Sequence, residues 1–372
     1  MTVKGTATPP TVATFTDTYL PTVNGVTYTV SSWRDRWVER GGRMDVVYPG
    51  SSHDPRDGEF PVRSVAFPFY DGFRLGLPRI PDAVEDVDVV HAHTPFSLGL
   101  AAYRLARRAD IPLVVSYHTP TAEYAEYVAP AWATPAVSSV SRRYESWYLD
   151  RADLVLTPSE STAETVSAFT DSPVESHPNG VDVGFFRPTF PNAFIRRHDI
   201  PTDRPIVGYT GRHGFEKNLD AILDAAVDLE VTVLFGGDGP ARATLEERAE
   251  ELGIDAIFLG FLERDELPEF YSTLDVFAFP SPVETQGLVA LESIACGTPV
   301  VAVDSGALSH TVDDGQTGFH FEHGDTDDFR ATIVEALEAG DSLSRRSLRR
   351  RDDISLERSI DRLESTYERL LG

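Results

Sequence analysis

From residue 206 onward, short runs of β-branched and aromatic residues alternate with stretches whose apolar side chains recur at helical spacing. Residues 206–209, 231–235, 257–259, 276–279 and 300–303 read as strands, and 219–226, 242–252 and 266–274 as the helices between them. Such alternation predicts a parallel sheet covered by helices on both faces. The first half follows the same grammar. Strands are expected over 11–16, 44–48, 62–67, 87–92, 112–117 and 152–157. A helix marked by Val26, Val30, Trp33, Trp37 and Val38 should follow Asn24-Gly25. Residues 190–204 hold Pro191 and Pro201 without a periodic pattern and read as a linker. The expected organisation is an α/β protein of two parallel-sheet domains, 1–189 and 205–355. Further helices are expected over 325–339 and 359–371.

Residues 280–297, PSPVETQGLVALESIACG, read as a loop running into a short helix. From Gly287 to Cys296 the polar side chains are Glu292 and Ser293, so the helix is apolar almost all round and should be buried. A carboxylate on it needs a partner, either a protein cation or a bound ligand rich in hydroxyls, because burying an unpaired charge is costly. Gly287 admits close approach to the helix N-terminus, where free N–H groups and the macrodipole favour phosphate. Glu292 follows about 7.5 Å along the axis, a reach that suits the ribose of a nucleotide whose phosphates sit at the helix start.

A second glycine-bearing loop, GRHGFEKN at 211–218, stands between a strand and a helix that Asn218 is expected to cap. Arg212 and Lys217 are candidates for gripping a diphosphate, one as a fork and the other as a compact charge. Lys217 is the sharper clue, because the chain has only two lysines, Lys4 and Lys217, against 33 basic residues in all. Chance retention and an ion pair to Glu292 are its alternative uses. GGDGP at 236–240 matches no dinucleotide fingerprint, and no P-loop spacing is present. Asp86 and Asp88 precede a strand, the wrong end of a sheet for a metal–nucleotide site, so no essential metal is expected. The single cysteine, Cys296, excludes an internal disulfide and a multi-cysteine zinc site.

In the first half the Asn24-Gly25 loop reads equally as a ligand-facing turn or an ordinary connection. His91, His93 and His118 stand at carboxyl ends of expected strands, where open α/β sheets place ligands. A structural role suits His91 and His93 at least as well, whereas His118 reads as functional. Residues 121–151 carry Tyr124, Tyr127, Trp132, Tyr144, Trp147 and Tyr148 with Arg142 and Arg143, a composition that suits a bilayer interface or a helix packed on its own domain. Five arginines in 345–351 read as a solvated helical face.

The formal net charge of −26 argues against binding polyanions and suits a surface screened by high salt, as in a halophilic protein, with an acid-stable or merely acidic mesophilic protein as the alternative. No apolar run reaches the ~20 residues of a membrane span, no signal-peptide pattern opens the chain, and residues 1–10 read as a polar leader. The expected location is cytoplasmic, with peripheral contact at the inner face of the cell membrane compatible with it.

These motifs together resemble the retaining family 4 glycosyltransferases of GT-B architecture over nearly the full length. The most specific mark is ETQGLVALE, similar to the family's pair of glutamates with seven residues between them, followed by ACGTPVVA. GRHGFEKN, GGDGP, LGF at 259–261 and PNGVD support it, and FTDTYLPTVNGV, HAHTPFSLGL and SYHTPTAEYAEYV look like the subgroup that glucosylates diacylglycerol-type lipids. The resemblance implies two Rossmann-like, doubly wound domains facing a cleft, with a C-terminal helix over 356–372 returning to the N-terminal domain. It implies Arg212 and Lys217 on the donor diphosphate, Glu292 on the ribose and Glu284 on the donor sugar. Backbone amides of Gln286, Gly287 and Leu288 would hold phosphate or sugar oxygens. The loop at Asn24 and Gly25 would close over the diphosphate, and His118 would lie beside the sugar. The implied activity is metal-independent hexosyl transfer with retention, from a nucleotide sugar such as UDP-glucose to a lipid-linked acceptor, with no further cofactor. A soluble metabolite or growing glycan is the alternative acceptor, a sugar-nucleotide epimerase the alternative enzyme, and a catalytically silent binding module the third reading. Many members carry an aromatic where this chain has Gln286, which can still offer its backbone amide.

Overall fold

The computed structural model describes residues 8–66, 74–118 and 134–372, with 134–138 described by backbone alone. Tyr124, Tyr127, Trp132 and most of the polar leader lie outside the described residues. The chain divides into two compact units, Met1–Asn179 with Ser359–Gly372, and Gly180–Arg358.

In the first unit the strands are β1 (Val12–Phe15), β2 (Met44–Pro49), β3 (Glu59–Val62), β4 (Ser64–Ala66), β5 (Arg74–Gly76), β6 (Val89–Ala92), β7 (Leu113–Ser116), β8 (Leu154–Thr157) and β9 (Val174–Ser176). The helices are α1 (Gly25–Glu39), α2 (Ser97–Ala109), α3 (Thr134–Leu149) and α4 (Glu160–Ser167). Seven strands form one sheet in the order β3-β2-β1-β6-β7-β8-β9, every pairing parallel. The expected strand over 62–67 is instead two pieces. The ladder ends where Pro49 pairs with Val62 and Gly50 N–H closes on Val62 C=O, and β4 then pairs antiparallel with β5 in a separate hairpin.

In the second unit the strands are β10 (Ile206–Thr210), β11 (Thr232–Gly236), β12 (Ala256–Gly260), β13 (Val276–Phe279), β14 (Val300–Val303) and β15 (Gly318–Phe321). Around them lie α5 (Asn192–Arg197), α6 (Asp220–Ala226), α7 (Arg242–Leu252), α8 (Leu267–Thr273), α9 (Leu288–Cys296), α10 (Leu308–Thr311), α11 (Thr326–Glu338) and α12 (Gly340–Arg349). The sheet order is β12-β11-β10-β13-β14-β15, again all parallel. The central strands β10, β13 and β14 are buried throughout, as strands covered on both faces must be.

Two boundaries differ from the sequence reading. Residues 190–204 are not a free connection. Pro191 precedes α5, a position where its missing N–H costs nothing, and Phe194 and Ile200 are buried in the core of the second unit. The chain passes between units at Asn179 and Gly180. The final helix, α13 (Leu356–Leu371), begins in the second unit and contributes Ser359 onward to the first, where Tyr367 is fully buried.

Both sheets are doubly wound. From β1 the chain moves outward through β2 and β3, then returns to lay β6 on the other side of β1; β10 and β13 are related in the same way. The loops that leave adjacent strands in opposite directions flank a crevice at their carboxyl ends. In the second unit those loops are 211–219 after β10 and 280–287 after β13.

Candidate active site

The second-unit crevice brings the two glycine-bearing motifs together. Gly211, Gly237 and Gly239 all have positive φ, and a Cβ on Gly237 would stand 2.0 Å from the carbonyl oxygen of Gly211. The loops after β10 and β11 therefore pack backbone against backbone, which is what GRHG and GGDG provide for. His213 joins them further, its N–H donating to Asp238 C=O at 2.8 Å. Lys217 then ends a single 3₁₀ turn, Phe215–Lys217. Asn218 is left-handed there and closes that turn instead of capping α6, whose N-cap residue is Leu219 with no side-chain hydrogen bond. The αL conformation expected of Asn in turns has outcompeted the cap.

Lys217 Nζ donates to Glu284 Oε1 at 2.6 Å, both side chains keeping partial solvent access. The expected alternative, an ion pair with Glu292, is not formed. Arg212 pairs with Glu216 four residues on. Gly287, at φ 79°, is the N-cap residue of α9, and a Cβ there would meet Leu308 Cδ2 at 2.6 Å. Gln286 is buried, and its carbonyl accepts from Thr311 Oγ1 at 2.5 Å, leaving its side chain out of that contact. Gln286, Gly287 and Leu288 thus deliver the helix N-terminus whose first N–H groups lack intrahelical partners.

Glu292 lies on a helix buried on most sides and is itself partly exposed. Its hydrogen-bond partner within the protein is a neutral hydroxyl and not the expected cation. The hydroxyl of fully buried Tyr271, from α8, donates to Glu292 Oε2 at 2.7 Å. Desolvation raises the Glu292 pKa to about 7 against the opposing pull of Tyr271 and Arg264, so the carboxylate is poised between its two forms near neutrality. Burial likewise pushes the Cys296 thiol up, consistent with an inert core residue.

In the first unit, Asn24 is the N-cap of α1. Its Oδ1 accepts from Thr27 N–H at 2.9 Å and its Nδ2 donates to Thr18 Oγ1 at 2.8 Å, so the helix begins at Gly25, as the helical spacing after Asn24-Gly25 predicts. His93 follows β6 and His118 lies just past β7; both are buried, with His93 Nδ1 and His118 Nε2 at 2.9 Å. His91 bonds Tyr367 OH and Ser116 Oγ, a structural role. Burial drives His118 down to about 4 and His91 and His93 well below their ordinary value, so all three are neutral at pH 7.

Sequence reasoning passed over Tyr271, which reads only as one more apolar residue of its helix, and Asp17. Asp17 is buried at the end of β1 and accepts from Thr94 Oγ1 and Ser97 Oγ at 2.7 and 2.8 Å and from Leu98 N–H, capping α2 from another strand. A polar DTYL run following a strand is the available signal for it. Among the described residues no group of three or more His, Cys, Asp or Glu is arranged to hold a metal ion, and no helix is long and apolar enough to cross a membrane.

Residues 23–185 match the family described as Glycosyltransferase Family 4, and residues 192–352 match Glycosyl transferases group 1. A GDP-mannose-dependent alpha-mannosyltransferase of Mycolicibacterium smegmatis is 31% identical over 385 residues, 97% of this chain and 98% of that protein. The chain belongs to glycosyltransferase family 4. This family 4 glycosyltransferase is also 29% identical over 364 residues to an alpha-monoglucosyldiacylglycerol synthase of Streptococcus pneumoniae, covering 91% of this chain and 80% of that protein. Among solved structures it is similar to the sucrose-phosphate synthase of Thermosynechococcus elongatus, with a TM-score of 0.80 and 19% identity over 97% of this chain and 99% of that one. The fold is GT-B, as its two parallel-sheet Rossmann-like units require.

Proposed function

We propose that this glycosyltransferase moves a hexose, glucose in the first instance, from a nucleotide sugar such as UDP-glucose to a lipid or lipid-linked acceptor. Transfer proceeds with retention and without a catalytic metal. The observation that carries the donor assignment is the meeting of Lys217 with Glu284 at the switch-point crevice that also presents the Gly287 helix N-terminus. A nucleoside diphosphate fits that chemistry. Its phosphate oxygens take the helix N–H groups, Lys217 and Arg212, its ribose hydroxyls take Glu292, and its sugar takes Glu284. The pair holds the lysine charge compensated until the diphosphate arrives, when Glu284 is released to the sugar.

In the reaction the C1–oxygen bond to the diphosphate breaks while the acceptor oxygen bonds to C1 on the same face. The acceptor proton passes to the departing diphosphate oxygen. The accumulating negative charge is met by Lys217, Arg212 and the helix N-terminus, donors fixed before the reaction begins. His118, neutral at pH 7, is assigned a part in transfer. The lipid acceptor is supported by the similarity to a synthase whose name specifies diacylglycerol. Arg142, Arg143 and the exposed Trp147 suit peripheral contact with a cytoplasmic membrane face.

A thermal-shift panel of nucleotide sugars tests the donor. A ligand at about 100 times its Kd stabilises by about 2.7 kcal/mol. UDP-glucose should give the largest shift, and a larger shift with GDP-mannose would replace the proposed donor. The selected donor, incubated with diacylglycerol vesicles and followed by mass spectrometry, should yield a glycosylated lipid. Transfer to a soluble polyol and not to the vesicles would overturn the lipid assignment, and donor interconversion without any acceptor would favour epimerisation.

A further inference from the structure

We propose that His93 is a positioning residue for transfer: its side chain sets the ring orientation and the tautomer of His118 through the single hydrogen bond between them. The inference rests on the reading of His118 as a residue acting in transfer, and deepens it.

The geometry is specific. Nδ1 of His93 and Nε2 of His118 stand 2.9 Å apart, and the two rings are nearly parallel, 10° between planes at a centroid distance of 5.2 Å. His93 is pinned from its other side by His91, stacked at 4.2 Å, and edge-on by Trp33 at 5.7 Å. His91 cannot rotate away, because both of its nitrogens are engaged, Nδ1 with Tyr367 OH at 2.6 Å and Nε2 with Ser116 Oγ at 2.8 Å. Trp33 is in turn held by its indole N–H on Asn179 C=O at 2.9 Å. The ladder therefore runs from α13 and α1 through two strand ends to His118, and nothing about a lone ligand-facing histidine requires it.

A neutral imidazole carries one N–H. Two neutral rings facing nitrogen to nitrogen can bond only if one donates and the other accepts. If His118 Nε2 donates, its Nδ1 is an acceptor; if it accepts, its Nδ1 carries the hydrogen. The bond thus couples the two tautomers, so that the proton on His93 and the kind of group on the second nitrogen of His118 change together. Burial makes the alternative, a charged ring able to donate from both nitrogens, expensive.

The test compares His118→Ala, His93→Ala and His93→Asn. An asparagine side chain places an amide atom near the position of Nδ1 and can turn either its oxygen or its nitrogen toward His118, so it restores the bond whichever ring donates. His93→Ala should lower kcat about 10- to 100-fold, with donor KM little changed, and His93→Asn should recover most of that loss. Imidazole nitrogen NMR should show one tautomer of His118 in the wild type and a mixture in His93→Ala. Wild-type turnover in His93→Ala, or His93→Asn as slow as His93→Ala with a native melting transition, overturns the inference. Unchanged turnover in His118→Ala overturns instead the reading of His118, and the NMR comparison then still reports whether His93 sets its tautomer.

Discussion

Replacing Glu292 by glutamine separates what desolvation does to this carboxylate from what the ligand needs of it. Burial raises its pKa from 4.5 to about 7. Between those values the folded chain holds a proton that the unfolded chain has released, so stability falls as pH rises. The contribution is complete below 4.5 and lost as pH passes through about 7. A shift of that size corresponds to about 3 kcal/mol. Glutamine has no titrating proton and still offers Tyr271 an acceptor oxygen. The E292Q variant should therefore match the wild type near pH ~4 and gain on it steadily to about 3 kcal/mol by pH ~8. Urea unfolding followed by circular dichroism, at one high salt concentration that screens the acidic surface, measures the difference. A variant-minus-wild-type difference that stays flat with pH refutes the desolvation argument. On the proposed donor assignment, the same carboxylate links pH to binding. Ribose hydroxyls donate to the ionised form, so wild-type affinity for UDP-glucose should fall as pH drops through about 7, and E292Q should bind weakly at every pH.

Lys217→Ala should abolish transfer while leaving the melting transition near that of the wild type, and wild-type rates in the purified variant would remove the diphosphate assignment. A double-mutant cycle of Lys217→Ala with Glu284→Gln should give a coupling of about 1–2 kcal/mol in the empty protein; a coupling near zero would mean that the 2.6 Å contact carries no stability. Gly287→Ala places a side chain at φ 79° against Leu308 and Phe279 and should destabilise by about 1–3 kcal/mol. It should also weaken donor binding, checked by urea midpoint and isothermal titration.

Legibility followed the range of the interaction. β14 was read to the residue, and α7 likewise, because both depend on local hydrophobic period. Gly287 at a helix start carries its own meaning, since a left-handed residue against Leu308 has few alternatives to glycine. The pieces that escaped lack an apolar run: β9 (Val174–Ser176) is two-thirds polar, and β15 (Gly318–Phe321) is interrupted by glycine and histidine. Residues 190–204 misread for the same reason, because two prolines look like a linker until Phe194 is seen in the core. Asn24 shows the limit of a loop motif: its loop reads equally as a ligand-facing turn or an ordinary connection, and its side chain is committed to the cap of α1.

The chain's own pattern determined the α/β class, the strands that could be buried on both faces, and the glycine-bearing motifs that carry the family resemblance. Partners were decided only by the tertiary structure. Lys217 lies 67 positions from Glu284 and meets it because β10 and β13 are neighbours in the sheet, an order that no local period specifies. Tyr271 answers Glu292 for the same reason, as do His93 and His118 at the ends of adjacent strands. Periodicity sets which way a side chain faces, whereas strand order sets what it finds there.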